Sequence, residues 1–369
     1  MNRALRAGAA LLPPLLVFGA ARCLMVVAAR TVGLDAWNPQ TWNRWDSGHY
    51  LSIATTGYEY FSCARDGGRP WEVCGNAAWF PLYPWTIRPL VALGVAPVTA
   101  GVWVAALGAL GMLVALWNGF LKGRGLAGCL LLGLAATFPG AVYQHAIFPT
   151  SLALLCLVLT AILVARRRWA LAGVAGAGVS LSYVTGVLVC LPSGVAALLR
   201  ERAWRPALVA GGIACCGFLL VLLLHQLLLG HWDAFYWVHR KGFLAIGRPA
   251  AMFGAAIAPV FERVDHRARM TAAQALTVSV LVVLGLGTAW VQRGRPDPIR
   301  AWALLASVVF WIFPLAVGRG VNLYRSDALV LPVLLLLREL PPWLLAALLI
   351  WLVVLAEQMA RLFFTGYLI

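Results

Sequence analysis

Apolar runs of about 20 residues recur along the whole length of this chain, and each is long enough to cross the hydrocarbon core of a bilayer as an α-helix. The composition agrees, because 62% of the 369 residues are hydrophobic and only 11% are charged. So few charged residues cannot cover a water-soluble surface of this size. The chain is therefore expected to be an integral membrane protein, which excludes soluble α/β enzymes, disordered scaffolds and secreted disulfide-rich miniproteins.

Hydropathy divides the chain into about eleven membrane segments, which predict an all-α polytopic membrane protein. The segments are 8–30, 92–118, 125–146, 149–165, 168–183, 186–199, 206–229, 271–291, 299–317, 323–338 and 341–360. The first follows Arg3 and Arg6 as the core of a signal peptide would, but its run of about 22 apolar residues is too long for one. We interpret it as an uncleaved anchor, and residues 1–369 as a single transmembrane domain.

Basic residues in the short loops predict the orientation, because loops rich in Lys and Arg are retained in the cytoplasm. One alternating set of loops contains Arg3, Arg6, Lys122, Arg124, Arg166, Arg167, Arg168, Arg200, Arg202, Arg205, Arg293, Arg295, Arg300 and Arg338. The N-terminus is then cytoplasmic and the C-terminus external, with the long loops 31–91 and 230–270 outside. Lys and Arg outnumber Asp and Glu by 29 to 13. We attribute this excess to topology and to contact with anionic membrane lipids, and expect no nucleic-acid partner.

Four ionisable residues lie inside predicted spans, each in the outer third of its segment: Arg22, His145, His225 and Glu357. An ionisable group within a membrane segment is costly, so each is a candidate site residue. The alternative is that the longer side chains reach the headgroups and serve no site, and for Arg22 and Glu357 the sequence favours neither reading.

The cysteines fall into two groups. Six lie within apolar segments and are expected to pack as small core residues. Cys63 and Cys74 share the first outer loop, flank the turn-rich residues 65–70 and face an oxidising compartment, so a disulfide between them is predicted. No Cys/His spacing typical of a zinc site is present, and no metal or cofactor is expected.

Residues 43–58 of the first outer loop predict a helix lying in the membrane interface, with Asp46 at or beside its N-cap and Gly57 able to end it. A capping aspartate accepts the free N–H groups of the first turn and contributes about 1 kcal/mol. The sharper alternative is a general base at the water–lipid boundary, with Arg44 and His49 setting its charge state. The spacing alone favours the cap.

Residues 78–85, which read Ala-Trp-Phe-Pro-Leu-Tyr-Pro-Trp, return the first outer loop to the membrane. Two prolines among aromatics are typical of a rigid amphipathic segment anchored in the headgroup belt. The same aromatic side chains could form a wall for a lipid tail or a stacking surface for a sugar ring.

The second outer loop mixes aromatics with cations over residues 231–243, including His239, Arg240 and Lys241. Such a mixture suits a lipid-linked phosphate, because cations neutralise the phosphate while aromatic faces contact sugar or isoprenoid. A cationic interfacial helix on anionic lipid is the equally favoured alternative. Residues 250–261 predict an apolar interfacial helix, and residues 262–269 a solvated charged turn.

The third outer element, residues 319–327, carries Tyr324 and Arg325, with Asp327 in a position to orient the arginine. A polar connection between spans is the plain interpretation of this stretch. Binding of a donor phosphate by Arg325 is the functional one, and the two stay open on the residues alone.

Several motifs together resemble the second mannosyltransferase of GPI-anchor assembly and its bacterial relatives, which are GT-C glycosyltransferases. They cover most of the chain and lie at residues 44–54, 57–58, 79–84, 138–140, 149–152, 166–173, 230–235 and 324–325. The resemblance implies transfer of a sugar, usually mannose, from a polyprenyl-phosphate carrier to an acceptor on the outer face. It also implies a GT-C-like fold and an acidic base in the first outer loop, a position that Asp46 matches.

The site implied by this resemblance and by the loop chemistry has two parts. The catalytic candidates are Asp46 and His49, and the donor-binding candidates are Arg44, His239, Arg240, Lys241, Tyr324 and Arg325. The chain departs from its relatives at three places: residues 149–152 lack an acidic residue, Tyr183 stands where an Arg is common, and His49 stands where a Trp is common.

The function expected from the sequence is that of an inverting glycosyltransferase in the bacterial plasma membrane, with its active site on the outer face. Its partners would be a polyprenyl-phosphate sugar donor, a lipid or glycan acceptor and membrane lipids. The absence of a glycine-rich nucleotide loop fits a lipid-carried donor. A lipid or glycan transporter is the main alternative, although no internal repeat is evident, and an inactive GT-C scaffold is a third.

Overall fold

The fold is known from a computed structural model that describes residues 3–239, 249–294, 297, 299–317 and 323–368. Most of these residues are helical. The helices are α1 (Arg3–Thr31), α2 (Ser47–Thr55), α3 (Leu82–Ala92), α4 (Pro97–Leu116), α5 (Gly125–Ala136), α6 (Ala141–His145), α7 (Thr150–Ala165), α8 (Trp169–Ser180), α9 (Cys190–Glu201), α10 (Trp204–Leu229), α11 (Ala234–His239), α12 (Pro249–Ile257), α13 (His266–Val291), α14 (Arg300–Val317), α15 (Leu323–Ser326), α16 (Leu334–Leu337) and α17 (Pro342–Phe364).

Long apolar helices confirm that the chain is a helical membrane protein. Within the described residues, six helices are long and apolar enough to cross a bilayer: Ala10–Thr31, Pro97–Leu121, Val184–Glu201, Trp204–Leu229, His266–Val291 and Pro342–Phe364. Five further apolar helices are shorter, at 10–17 residues. The broader prediction of a polytopic helical protein therefore holds, and length and composition by themselves support six spans.

Two predicted spans are broken rather than continuous. The segment 125–146 divides into α5 and α6 around Pro139 and Gly140, because proline lacks the N–H that a helix interior needs. The segment 323–338 consists of α15, a 3₁₀ stretch over Asp327–Val333 and α16, and Pro332 lies inside that stretch. Both breaks lie in apolar sequence, where hydropathy alone cannot register them.

The helices pack through small residues, as is typical of membrane bundles. A Cβ atom added at Gly217 of α10 would lie 2.4 Å from the Ala177 carbonyl oxygen of α8, and one added at Gly176 would lie 2.8 Å from the Ala214 Cβ. The Ser180 hydroxyl, also on α8, donates to the Ala214 carbonyl oxygen at 2.8 Å. Close backbone contact of this kind holds helices together where lipid surrounds them and burial of apolar area gives little net drive.

The basic loops meet at one end of the bundle, which we call the basic end. Arg124, Ala165, Arg300 and Arg338 line one polar cavity of about 420 Å³ there, together with Asp297 and Glu339. Arg124 pairs with Glu339 at 2.8 Å, and Arg338 pairs with Asp297. Loops that were assigned to the same side from their charges are therefore neighbours in the fold.

The opposite end carries α2, α3 and the first long loop. Helix α4 connects the two ends, and its 20 residues span roughly 30 Å. Near its start, the Gly101 carbonyl accepts a hydrogen bond from the Tyr83 hydroxyl of α3 at 2.7 Å. Helix α2 is fixed in turn by Arg88 of α3, whose guanidinium donates to the carbonyls of Ile53 and Ala54 at 3.1 Å each. This arrangement sets the position of the residues that begin α2.

A small hairpin in this loop was not expected from an all-α prediction. Strands β1 (Tyr60–Ser62) and β2 (Val73–Gly75) pair antiparallel, with Phe61 opposite Cys74. The predicted disulfide between Cys63 and Cys74 is present and confirms the pairing. Strands of three residues are too short to show the alternation by which a sequence reveals a strand.

The predicted loop helices are present, with one difference. Helix α2 begins at Ser47 and ends at Thr55, just before Gly57, whose φ of +97° stops the helix as expected. Helix α12 covers most of the predicted apolar segment 250–261. The solvated turn predicted for residues 262–269 is wrong in its second half, because Asp265 caps α13 by accepting from the Ala268 N–H at 2.7 Å and the residues after it are helical.

Candidate functional site

The Asp46 carboxylate and the Arg325 guanidinium form an ion pair at the end of the bundle opposite the basic end. Their side chains are 27% and 13% exposed, so the pair is shielded from water although not sealed from it. Asp46 precedes α2, and Arg325 lies in α15, a short helix between two membrane segments. Two residues that were singled out separately as base and phosphate ligand are therefore direct partners.

The capping function favoured by the spacing of Asp46 is wrong in its essential part. Asp46 does occupy the N-cap position of α2, but its side chain makes no capping hydrogen bond. The carboxylate is turned toward Arg325 instead. The stabilisation expected from a cap is thus absent, and the side chain is committed to a charged partner from a distant part of the chain.

The turn before α2 has a strained backbone. Trp45 has a φ of +55°, a left-handed conformation that is uncommon for a residue with a Cβ atom and that recurs at functional sites. The turn is held because the buried Ser47 hydroxyl accepts from the Arg44 N–H at 3.2 Å. The Arg44 side chain donates through Nε to the Thr41 carbonyl oxygen at 3.3 Å, so this predicted donor-binding residue supports the turn.

His49, Trp79 and His239 form a row of rings beside the ion pair. The His49 ring stacks on Trp79 with centroids 3.6 Å apart, and the His239 ring lies 6.4 Å from Trp79 on centroid distance. One face of Trp79 is therefore covered by His49, which limits its use as a stacking surface for a sugar. Desolvation lowers the pKa of His49, an effect that the nearby Asp46 carboxylate partly offsets, and desolvation also lowers the pKa of His239.

Aromatic rings surround the Arg325 guanidinium. Its central carbon lies 5.9 Å from the Tyr143 ring, 5.6 Å from the Phe148 ring and 5.8 Å from the Tyr324 ring. Cations interact favourably with aromatic faces at these distances. Sequence reasoning missed Tyr143 and Phe148, although the motif at residues 138–140 and the Pro149 that follows mark the helix break that places them.

The segment that carries Arg325 is anchored by Gln274 of α13. The Gln274 amide donates to the Tyr324 carbonyl oxygen at 2.9 Å and to the Asp327 carboxylate at 2.8 Å. Asp327, which was expected to orient Arg325, thus lies on Gln274, and Asp46 is the carboxylate paired with the arginine. The prediction was based on the acidic residue closest to Arg325 in sequence, whereas the carboxylate that pairs with Arg325 in the fold comes from the first outer loop.

The departures from the suggested family at Thr150 and Tyr183 adjoin one another in the fold. The two hydroxyls are 2.7 Å apart and share a hydrogen bond. Thr150 and Tyr183 therefore form a neutral, hydrogen-bonded pair.

The four ionisable residues inside predicted spans have structural partners or packed surroundings. The Arg22 guanidinium lies 4.0 Å from the Trp42 ring centroid and donates to the His145 carbonyl oxygen at 3.5 Å, so it packs inward. Glu357 pairs with Arg361 one turn away. The His225 ring meets Tyr58 edge to face at 5.0 Å. None of these contacts reaches the Asp46–Arg325 pair.

Arg240 and Lys241, which were predicted to bind the donor, lie outside the described residues. Elsewhere, the described ranges contain no group of three or more His, Cys, Asp or Glu side chains that could hold a metal ion. The site is thus built from one carboxylate, one guanidinium, two imidazoles and several aromatic rings. Such a set could take a proton, neutralise an anion and pack against an apolar or ring-shaped ligand.

The chain was compared with protein-family models and with curated proteins, and it matches none of either.

Proposed function

We propose that the protein is an inverting glycosyltransferase that moves a sugar, with mannose as the first candidate, from a polyprenyl-phosphate carrier to a lipid or glycan acceptor. The proposal includes a GT-C-like fold of about eleven spans. The spans beyond the six long ones would be four of the shorter apolar helices, α5, α7, α8 and α14, and the broken segment 323–338. The observation that carries it is the Asp46–Arg325 pair, set among aromatic rings at one end of a membrane bundle.

Inverting transfer needs a base on the acceptor side and positive charge on the leaving-group side. The acceptor oxygen forms a bond to the anomeric carbon while the bond from that carbon to the phosphate oxygen breaks. The acceptor proton passes to the base, and the electron pair of the broken bond stays on the phosphate. Asp46 is the base in this scheme, and Arg325 stabilises the charge gained by the phosphate.

The ion pair between these two residues is the resting state of the proposed site. A donor phosphate would compete with Asp46 for the Arg325 guanidinium, because Arg binds phosphate through strong charge-assisted hydrogen bonds. Exchange of partners would release the carboxylate to act on the acceptor. The pair thus keeps both groups in position without an external ligand.

His49 and His239 flank this centre and share an environment that favours their neutral forms. A neutral imidazole can donate one hydrogen bond and accept another, which suits contact with sugar hydroxyls or phosphate oxygens. Arg240 and Lys241 follow His239 directly and are proposed as further phosphate ligands. Arg44 is assigned to holding the turn that presents Asp46.

The proposed location is the plasma membrane of a bacterium, with the N-terminus in the cytoplasm. The clustering of basic loops at one end supports this orientation, because such loops are retained inside. The Asp46 site would then face outward. Cysteine-accessibility tags near Gly68 should be labelled from outside and tags near Arg124 only after permeabilisation; the reverse pattern would place the site on the wrong face for this proposal.

The decisive experiment supplies purified protein in lipid nanodiscs with a defined polyprenyl-phosphomannose and a panel of lipid and glycan acceptors. We expect a mannosylated product of inverted anomeric configuration, detected by mass spectrometry and NMR. The Asp46→Asn variant is the control for contaminating activity. Reconstituted protein that carries the lipid across vesicles without product would identify a transporter, and the lack of both activities would favour an inactive scaffold.

A further inference from the structure

Two buried tyrosine hydroxyls flank the Arg325 guanidinium. Tyr143 and Tyr324 are 1% and 6% exposed, and their rings stack with centroids 6.1 Å apart and an interplanar angle of 25°. The guanidinium carbon lies 5.9 Å from one ring and 5.8 Å from the other. Both phenols therefore lie in the immediate surroundings of the charge assigned to phosphate binding.

Within the described chain, the Tyr143 hydroxyl has no hydrogen-bond partner, and the one partner indicated for the Tyr324 hydroxyl is the Arg325 guanidinium itself. Buried polar groups are normally paired, since an unpaired one costs free energy. Other tyrosines in this half of the molecule follow the rule: Tyr83 donates to the Gly101 carbonyl at 2.7 Å, Tyr58 donates to the Trp79 carbonyl at 3.0 Å, and Tyr183 shares a hydrogen bond with Thr150 at 2.7 Å. Tyr143 is an exception beside a cation, and the Tyr324 hydroxyl has no neutral acceptor in the described chain.

The backbone is specially arranged to bring these two residues together. Tyr143 lies on the five-residue helix α6, which starts after Gly140 with a φ of +83°. A Cβ atom at Gly140 would lie 3.2 Å from the Ala328 Cβ and 3.3 Å from the Tyr324 carbonyl oxygen. Only a glycine here lets the two segments approach without displacement, and the Gln274 amide holds the Tyr324 carbonyl from the other side.

We propose that the hydroxyls of Tyr143 and Tyr324 act with Arg325 as one binding site for a phosphate monoester. This inference rests on the proposed function and names the state of the ligand that the site prefers. A polyprenyl-phosphate sugar is a phosphodiester with one negative charge. When its bond to the anomeric carbon breaks, the polyprenyl phosphate that leaves is a monoester with a second negative charge on the oxygen released.

Two neutral O–H donors beside a guanidinium match that change. The guanidinium attracts the dianionic monoester more strongly than the monoanionic diester, and the two O–H donors add hydrogen bonds that strengthen as the released oxygen acquires charge. The tyrosines would therefore favour the departing phosphate over the intact donor. Interactions that strengthen only as the reaction proceeds are the ones that accelerate it.

The test compares Tyr143→Phe with the matched control Tyr83→Phe, because each change removes one buried hydroxyl. Polyprenyl monophosphate is titrated into nanodisc-bound protein, and affinity is measured from ligand-induced thermal shift. For Tyr143→Phe we expect about tenfold or greater loss of affinity and an unfolding temperature equal to or above that of the wild type. For Tyr83→Phe we expect unchanged affinity and a lower unfolding temperature, because a hydrogen bond already made is lost.

The source of the phosphate is distinguished by two further titrations. Inorganic phosphate and phosphatidic acid present the same dianionic group without the isoprenoid tail. Weak binding of both that is lost in Tyr143→Phe would assign the site to the phosphate group, and tighter binding of polyprenyl monophosphate would assign the natural ligand to the isoprenoid carrier. Equal affinity for phosphatidic acid would instead make the site one for phospholipid headgroups and would overturn the assignment to the carrier.

The inference and the proposed function fail in different ways. Unchanged affinity of Tyr143→Phe for every phosphate probe would overturn the inference, even if the wild-type protein transferred sugar. Wild-type protein that binds polyprenyl monophosphate through Tyr143 but never transfers sugar would overturn the proposed function and leave the binding site in place.

Discussion

The Arg325 guanidinium donates to the Asp46 carboxylate across 279 residues of sequence. This pair joins the first long loop to the short helix α15. Because the Asp46 carboxylate contacts Arg325, it does not make the capping hydrogen bond that the position of Asp46 before α2 suggests. A half-buried ion pair is a poor source of stability by itself, because desolvation offsets much of its attraction. Its position among aromatic rings is better explained by the binding of an anion to the Arg325 guanidinium.

Replacement of Asp46 should separate charge from position. Asp46→Asn removes the basic carboxylate, so turnover should fall roughly 100-fold or more at saturating donor. It also leaves the shielded Arg325 guanidinium without this carboxylate, so we expect the free energy of unfolding to decrease by about 1–3 kcal/mol. Asp46→Glu keeps a charge for Arg325 but moves it by one methylene, and it should recover much of the stability while turnover stays low. An Asn variant with near wild-type turnover would show that Asp46 is not the base.

Replacement of Arg325 should affect donor binding. Arg325→Lys retains a positive charge but loses the planar fork that binds phosphate through two N–H groups, so donor affinity should fall about tenfold or more. Arg263→Lys is the matched control, because Arg263 is an exposed arginine in the turn before α13. Affinity is measured by donor titration of single-turnover rates. Equal effects of the two substitutions would indicate general attraction of an anionic lipid instead of a specific contact.

Acidification should destabilise the protein through His49 and His239. Burial lowers the pKa of both imidazoles in the folded chain, whereas in the unfolded chain they titrate near pH 6.5. Below about pH 6.5 the unfolded state therefore binds more protons, and the free energy of unfolding falls as the pH decreases. This contribution is complete above pH 6.5 and is lost toward the folded-state pKa values.

The measurement is thermal unfolding in detergent from pH 7.5 to pH 5. We expect His49→Asn to reduce the slope of unfolding temperature against pH, and His266→Asn, at an exposed position, to leave it unchanged. Identical slopes in the wild type and both variants would show that the histidine environment makes no measurable contribution.

A methyl group at Gly140 should disturb the site through the backbone. Gly140→Ala and Gly94→Ala both place a Cβ at positive φ, +83° and +90°, which costs roughly 1–2 kcal/mol at each position. Of the two positions, only Gly140 has close neighbours, which are Ala328 and the Tyr324 carbonyl oxygen. Gly140→Ala should therefore lower the free energy of unfolding by about 1 kcal/mol more than Gly94→Ala does. Turnover should fall roughly tenfold or more in Gly140→Ala alone, because the segment carrying Arg325 is displaced. Comparable turnover in both variants would show that Gly140 does not affect the site.

Local and compositional signals were sufficient for much of the architecture. The membrane class follows from apolar runs, and the Cys63–Cys74 disulfide from two cysteines flanking a turn in one loop. The start of α2 after Asp46 and its end before Gly57 follow from capping preferences within a few residues. These features could be predicted because the interactions that produce them join residues close in the chain, or depend only on how apolar a segment is.

The partners within the candidate site were decided by the tertiary structure. From the sequence, Asp327 was the predicted partner of Arg325. In the structure, Gln274 of α13 donates a hydrogen bond to Asp327, and Arg325 pairs with Asp46. Tyr143 lies in what reads as an apolar span, and it reaches the site because a helix breaks at Pro139 and Gly140 and the Tyr324 segment packs against the break. A side chain with several acceptable partners takes the one that long-range packing brings within reach, and that choice depends on contacts across hundreds of residues that no local pattern encodes.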